Sequence, residues 1–244
     1  RKKKFKKFYF KKGLVSASSK LSNHTKKIIL KNKINLFEMY GASEIGTVTS
    51  INVNKDSKKM KSVGKSYNKN ISIRILSNKN KFLKNNETGQ IVCRTPTIFK
   101  EYLGLNELTK NSFFKGFFKT GDIGYLDNNK YLYFLGRQKN IIRRSGITIY
   151  PEDIENILIN DKNINEVAAI GINRNENEEI CLFVKKNNKI TYDYVKKICI
   201  KKLSVFQIPN KIYLIDNFPK TSIGKINKKL LLSFLWYFFV NNIT

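Results

Sequence analysis

The sequence predicts a mixed fold, an α/β opening, a β-rich middle and a closing α+β unit. Three observations carry this. A strand-like run over residues 9–16 meets the small-residue turn Ala17-Ser18-Ser19, then a helical stretch and a second strand over 34–38. From about residue 60 to 136 the pattern is β-rich, with period-two alternation in Ile71-Ser72-Ile73-Arg74-Ile75, the spacing of a half-buried strand. After Arg137 helical and strand-like runs intermix. The boundary is placed at 136–140, giving units over 1–136 and 137–244.

Each element has a local reason. Ser22 is suited to cap a helix, because its hydroxyl can accept from a first-turn N–H. Ile28 and Ile29 are expected on the buried face of that helix. The strand over 34–38 leads into Tyr40-Gly41, placing that loop at a strand's C-terminal end, where open α/β sheets bind ligands. Ile91-Val92-Cys93 follows the turn signals Asn85-Asn86 and Gly89 and reads as a strand. Leu126 to Tyr131 reads as a hairpin whose Asp127-Asn128-Asn129 tolerates positive φ. Pro151 fits the first turn of a helix with Ile154, Ile157 and Leu158 on one face. Strands over 167–172 and 180–184 follow, then a helix capped by Thr191 with Val195, Ile198 and Cys199 inward, then a strand over 211–215. The apolar run over 230–240, broken by Ser233, suits a terminal helix.

The chain has 244 residues, 41% hydrophobic, with a mean hydropathy of −0.39. These are proportions of a globular protein, and no apolar run reaches the length that spans a bilayer. Lys and Arg number 47 against 18 Asp and Glu, a formal net charge of +29. Such a balance raises nucleic acid or an anionic membrane as a partner. The basic residues, however, sit beside asparagine in separate loops, 55–61, 79–84 and 185–189. Lysine predominates, whereas base readers and phosphate clamps lean on arginine. A solvated lysine-rich surface is the reading adopted, and no nucleic-acid partner is expected. Cys93, Cys181 and Cys199 lack CxxC spacing, so no zinc site or disulfide framework follows and an intracellular, cytoplasmic location is expected. His24, the only histidine, is expected at the surface of a basic helix, which leaves histidine-based nucleophilic catalysis without a base. The chain opens Arg1-Lys2-Lys3-Lys4 and is expected to be part of a longer protein.

The chemistry lies in four short loops: Tyr40-Gly41-Ala42-Ser43-Glu44, Thr120-Gly121-Asp122, Gly136-Arg137, and Pro219-Lys220-Thr221-Ser222-Ile223-Gly224-Lys225. A carboxylate is a poor electrophile until it is coupled to the α-phosphate of ATP. Catalysis of that coupling is mainly positioning and neutralisation of phosphoryl charge. Glu44 is a hard oxygen ligand suited to Mg²⁺. Ser43 can donate to a phosphoryl oxygen, Gly41 lets backbone approach closely, and Tyr40 can stack on adenine. Asp122 can accept both ribose hydroxyls, Arg137 can donate to the ribose, and Lys225 offers an ammonium to the charge that develops at the α-phosphate. Each loop alone is an ordinary turn; their shared order points to ATP-dependent activation of a carboxylic acid.

With these motifs the chain resembles the later portion of the adenylate-forming superfamily: acyl- and aryl-CoA synthetases, adenylation domains of nonribosomal peptide synthetases, and luciferases. The resemblance runs from residue 14 to 232. It includes an adenine-side turn at Val15 to Leu21, which brings in Ala17, Ser18 and Ser19, and a phosphate and magnesium loop over Phe37 to Glu44, which brings in Met39 and Ala42. Gly89 to Leu103, Gly116 to Asp122, Gly136 to Glu155 and Pro219 to Lys225 match further family segments. The resemblance implies the end of a large N-terminal AMP-binding domain over 1–136, with a β-rich subdomain at about 60–136, and a small mobile lid domain over 137–244. It implies Lys139 as the hinge, Ser145 and Gly146 at the path of the CoA thiol, and Lys225 as the adenylation lysine.

The implied reaction is activation of a carboxylic acid, a fatty acid by preference, with ATP and Mg²⁺, followed by transfer to CoA. The form of Ile149 to Glu155 favours CoA over a carrier-protein thiol. Alternative readings are a decayed, non-catalytic remnant and an adenylation domain that loads a carrier protein. The chain departs from the family pattern at Ala17 and Lys20, at Asn140 after the hinge, and at Thr148. The family's Ser/Thr/Gly-rich phosphate loop has no counterpart here, Gly13 being the only glycine before Gly41. The 244 residues alone are therefore expected to be inactive.

Overall fold

A computed structural model describes residues 13–18, 21–174, 177–222 and 224–241. The chain divides into two compact units, Arg1–Gln138 and Lys139–Thr244. Mixed α/β structure, rich in sheet, fills both.

The first unit begins with a strand–helix–strand crossover: β1 (Leu14–Ser16), α1 (Asn23–Lys31) and β2 (Leu36–Ala42). The strands β1 and β2 are parallel, with Ser16 opposite Glu38. The expected strand over 9–16 is described only from residue 14; residues 9–12 and Ser19 lie outside the described residues. β3 (Gly46–Asn52) returns antiparallel, and β4 (Lys65–Ser66) completes a sheet of order β1-β2-β3-β4. As expected, Ser22 caps α1 by accepting from Thr25 N–H at 3.1 Å, and His24 is exposed.

Two local expectations fail in this region. Ile28 is 45% exposed. The buried position of α1 belongs to Lys26, which is 0% exposed, pairs with Glu38 of β2 and donates to the Met60 carbonyl at 2.6 Å. A charge is admitted there because both an ion partner and a carbonyl await it, while Ile29 is partly buried against the core of Leu36, Ile51 and Val53, as expected. The loop expected at Tyr40-Gly41 is strand as far as Ala42, with a bulge between Tyr40 and Gly41. The turn itself falls between Ala42 and Gly46. A Cβ on Gly41 would lie 2.1 Å from the Gly46 carbonyl oxygen, so the absence of a side chain there is what lets the two strands close.

The rest of this unit is antiparallel. β5 (Ser72–Leu76), β6 (Gly89–Arg94), α2 (Asn106–Asn111), β7 (Phe113–Phe114), β8 (Phe117–Leu126) and β9 (Leu132–Arg137) follow in chain order. The sheet order is β5-β6-β8-β7, with β9 also paired to β8. Alternate residues of β6 face opposite ways: Ile91 and Cys93 join a core with Ile45, Val48, Ile75 and Phe118, whereas Val92 packs with Leu76 and Phe117. The expected Asp127 hairpin is present, but its positive φ is at Lys130 (63°). Asp127 explains this, since its Oδ1 accepts from both Asn129 N–H and Tyr131 N–H at 2.9 Å. That holds the first residues of the turn and passes the reversal on to Lys130.

The second unit comprises β10 (Ile142–Arg144), β11 (Ile147–Ile149), α3 (Pro151–Leu158), β12 (Val167–Arg174), β13 (Asn177–Lys185), α4 (Tyr192–Lys202), β14 (Lys211–Ile215) and α5 (Lys228–Asn241). Pro151 stands in the first turn of α3, with Glu152 and Asp153 beside it, where acidic groups suit the helix dipole. Thr191 caps α4 through Tyr194 N–H at 3.2 Å, and Val195, Ile198 and Cys199 are buried. β12 pairs antiparallel and β14 parallel with β13. The sheet is covered on both faces: Ala169, Leu182 and Val184 pack with Ile154, Leu158 and Val195, and Ala168, Cys181 and Phe183 pack with Leu231 and Leu235 of α5. Two covered faces explain why its strands are continuous apolar runs. No helix among the described residues is long and apolar enough to cross a membrane.

Candidate functional site

In the first unit the structure brings together residues far apart in the chain. The Tyr40 hydroxyl donates to Asp122 Oδ2 at 2.7 Å, and Arg137 Nε meets Asp122 Oδ1 at 2.9 Å. β8 and β9 set Asp122 directly opposite Arg137 in register. Gly121 has φ +71°, a left-handed conformation that favours glycine and lets the strand turn at the carboxylate. Thr120 completes the support. Its hydroxyl donates to the Ile91 carbonyl at 2.8 Å and accepts from Asp122 N–H at 3.1 Å, while its carbonyl accepts from Arg137 Nη1 at 3.1 Å.

The electrostatics follow from burial. Asp122 is 4% exposed, and the side chain of Arg137 is 49% exposed. Burial first, and then the Asp122 charge, push the Tyr40 phenol well above its ordinary pKa, so it stays protonated as a donor. The same two causes raise the Cys93 thiol to about 12. An inert buried thiol suits a structural cysteine.

Glu44 stands in the turn after β2. Its Oε1 accepts from the Tyr102 hydroxyl at 2.9 Å, and its carbonyl accepts from Phe99 N–H at 2.7 Å. Burial, then the bond to Glu44, raises the Tyr102 phenol. Ser43 is exposed, while Met39 and Ala42 are partly buried. Ala17 and Ser18, both exposed, follow the end of β1. Since β1 and β2 are parallel, with Ser16 opposite Glu38, they emerge at the same sheet end as the Met39–Glu44 segment. The Tyr40 ring packs in the core, 6.4 Å from Phe134 between centroids.

The remaining candidates belong to the second unit. Lys139 is its first residue and is exposed. Ser145 (φ 50°) and Gly146 (φ 76°) form the two-residue turn between β10 and β11, both left-handed as such a tight hairpin requires. Lys225 ends a closed loop. Lys220 bridges to Ile226, Thr221 N–H donates to the Lys225 carbonyl at 2.8 Å, and Lys225 N–H donates to Thr221 Oγ1 at 3.2 Å. Gly224, at φ +79°, makes the reversal.

Sequence reasoning assigned no role to Tyr102, to the Lys26–Glu38 pair or to the carbonyl of Thr120. The partners of Tyr102 and Lys26 lie across gaps of 58 and 12 residues respectively, and no local spacing signals such pairings.

The fold and these loops are similar to those of adenylate-forming enzymes. The family model "AMP-binding enzyme" matches residues 3–103, and "AMP-binding enzyme C-terminal domain" matches residues 153–225. The chain belongs to the AMP-binding enzyme family. It is 33% identical over 173 residues to an oxalate–CoA ligase of Arabidopsis thaliana, covering 70% of this chain and 33% of that protein. It is 32% identical over 145 residues to a long-chain-fatty-acid–CoA ligase of Mycobacterium tuberculosis, covering 59% and 29%. Among solved structures, ATP-bound MatB from Rhodopseudomonas palustris superposes with a TM-score of 0.81 at 28% identity, over 89% of this chain and 44% of that one. An o-succinylbenzoate CoA synthetase from Bacillus subtilis gives 0.82 at 23% identity, over 89% and 45%, a likeness of fold. The chain thus spans about a third of the length of the curated relatives it matches.

Proposed function

We propose that this chain supplies the ribose, metal and lysine loops of an AMP-forming acid–thiol ligase, which activates a carboxylic acid with ATP and passes it to CoA. The observation that carries the reading is the Asp122 cluster. A carboxylate offers about four lone-pair sites, and Tyr40 and Arg137 take one each. A carboxylate held in this way is an acceptor of the kind ribose hydroxyls need, and the half-exposed Arg137 can donate to the same sugar. Its CoA-ligase relatives favour CoA as the acceptor, and the fatty-acid preference rests on one of them.

Glu44 fits a magnesium ion carried on nucleotide phosphates. Mg²⁺ is commonly held by one or two carboxylates plus phosphate oxygens, and the bond from Tyr102 engages one oxygen of Glu44 while fixing its rotamer. A metal bound there would neutralise phosphoryl charge. Ser43 donates to a phosphoryl oxygen from the same turn. In the reaction a carboxylate oxygen of the acid attacks the α-phosphorus and the bond to the leaving pyrophosphate breaks. The Lys225 ammonium stabilises the charge that builds between them. Lys139 acts as the hinge where the two compact units meet in the chain, the first serving as the AMP-binding domain and the second as the lid. Ser145 and Gly146 then border the path of the thiol. Met39, Ala17 and Ser18 flank the adenine.

The test is acid-dependent exchange of pyrophosphate into ATP by the intact protein that carries this chain, across a panel of mono- and dicarboxylic acids. Exchange with at least one acid is expected, reduced about 100-fold or more by Asp122→Ala. No exchange with any acid, or an unimpaired Asp122→Ala variant, would overturn the reading. The 244 residues alone are expected to give no exchange.

A further inference from the structure

A recess lies at the C-terminal end of β8. It is lined by Leu126, the last residue of that strand, four positions beyond Asp122, or about 13 Å along a strand. None of its lining residues belongs to the Asp122 or Glu44 clusters. Its volume is about 370 Å³, within the range of small-molecule sites. The floor is apolar, with Ile73 of β5, Leu83 and Leu126 lining it.

Four cations surround the recess: Lys65, Arg74, Lys84 and Lys130. All four are exposed, and no carboxylate is among the lining residues. Lys84 N–H donates to Glu87 Oε2 at 2.6 Å, and the neighbours of the other three are neutral. Lys130 Nζ donates to Asn85 Oδ1 at 3.0 Å, the Arg74 guanidinium stands 5.7 Å from the Phe82 ring centroid, and Lys65 Nζ stands 5.3 Å from that of Tyr131. Among the described residues none of the four joins an ion pair, whereas Lys59, Lys185, Lys220 and Lys228 each find an acid. Like charges gathered round an apolar floor repel one another, and a bound anion relieves that repulsion.

We propose that this recess binds an amphiphilic organic anion. Its acyl or aryl chain would lie on the floor of Ile73, Leu83 and Leu126, with a carboxylate or phosphate head among Lys65, Arg74, Lys84 and Lys130. The site needs no turnover and stands independently of the proposed ligase activity.

Calorimetric titration of the chain with dodecyl phosphate, dodecanoate and inorganic phosphate, the amphiphiles kept below micelle formation, tests this. One-to-one binding of an amphiphile is expected, with inorganic phosphate at least tenfold weaker. The tighter of the two amphiphiles identifies the headgroup. Arg74→Glu with Lys84→Glu should weaken amphiphile binding tenfold or more. Lys196→Glu with Lys197→Glu makes the same charge change on the exposed face of α4 and should leave binding unchanged. All four positions are exposed, so folding should survive, as circular dichroism would report. Equal loss in both double variants would reduce the effect to general attraction to a basic surface and overturn the site. So would inorganic phosphate binding as tightly as the amphiphiles, or no saturable binding at all.

Discussion

At the scale of single residues, two aspartates show how neighbours decide what a carboxylate does. Asp122 is held by Tyr40 and Arg137 from opposite sides. Tyr40→Phe removes one donor to a charged group, a loss of about 1.5–3 kcal/mol where the bond is intact. Nucleotide KM in the intact protein should therefore rise about tenfold or more, with a smaller change in kcat; an unchanged KM would detach Tyr40 from nucleotide binding. Asp127 serves the fold. Burial works to raise its pKa, but the hydrogen bond from Lys59 and those from Tyr131 and Asn129 N–H outweigh burial and hold it below the usual value. A carboxyl depressed in the folded state binds fewer protons there than when unfolded. Its stabilisation is complete above the unfolded pKa and is lost as pH falls through the folded one. Asp127→Asn should thus be less stable than wild type at pH 7 and converge with it towards pH 3 in urea titrations. A constant gap at every pH would mean that the ionised form does not matter.

At the scale of elements, the crossover from β1 through α1 to β2 is fastened by a buried ion pair. Lys26 and Glu38 are 0% and 3% exposed, and removing one partner strands the other charge. Lys26→Met should cost about 3–5 kcal/mol. Lys26→Met with Glu38→Leu should recover most of that, because an apolar pair of similar volume leaves no orphaned charge. Equal destabilisation by single and double variants in urea unfolding would contradict this. The same helix shows where sequence reasoning succeeds and fails. Ser22 was legible as a cap because the signal is local, four residues of chain and one hydroxyl. Ile28 was misplaced because periodicity ranks residues by hydropathy and could not see the carboxylate that β2 would bring to Lys26. The strands of the second unit were legible for the opposite reason: both faces of β13 are covered, so its middle, Ile180 to Val184, is an unbroken apolar run. Their ends were not, since β12 and β13 extend to Arg174 and from Asn177 through polar residues that continue the ladder.

At the scale of the whole molecule, the chain is two compact units, and its candidate chemistry is divided between them. Glu44, Asp122 and Arg137 stand in the first unit, and Lys225 stands in the second on a loop closed by its own backbone bonds. The order of the motifs made this division legible, because each loop keeps its place in the chain whatever the packing around it. The supports of the site, Tyr102 beneath Glu44 and Thr120 behind Arg137, became visible only once strands distant in sequence were paired. The proposed function confines Lys225 to one half-reaction. The direct measurement is to assay both halves with Lys225→Ala in the intact protein. The account predicts loss of acyl-adenylate formation from ATP and acid, with thioester formation from supplied acyl-adenylate and CoA largely spared. Equal loss of both halves would contradict it.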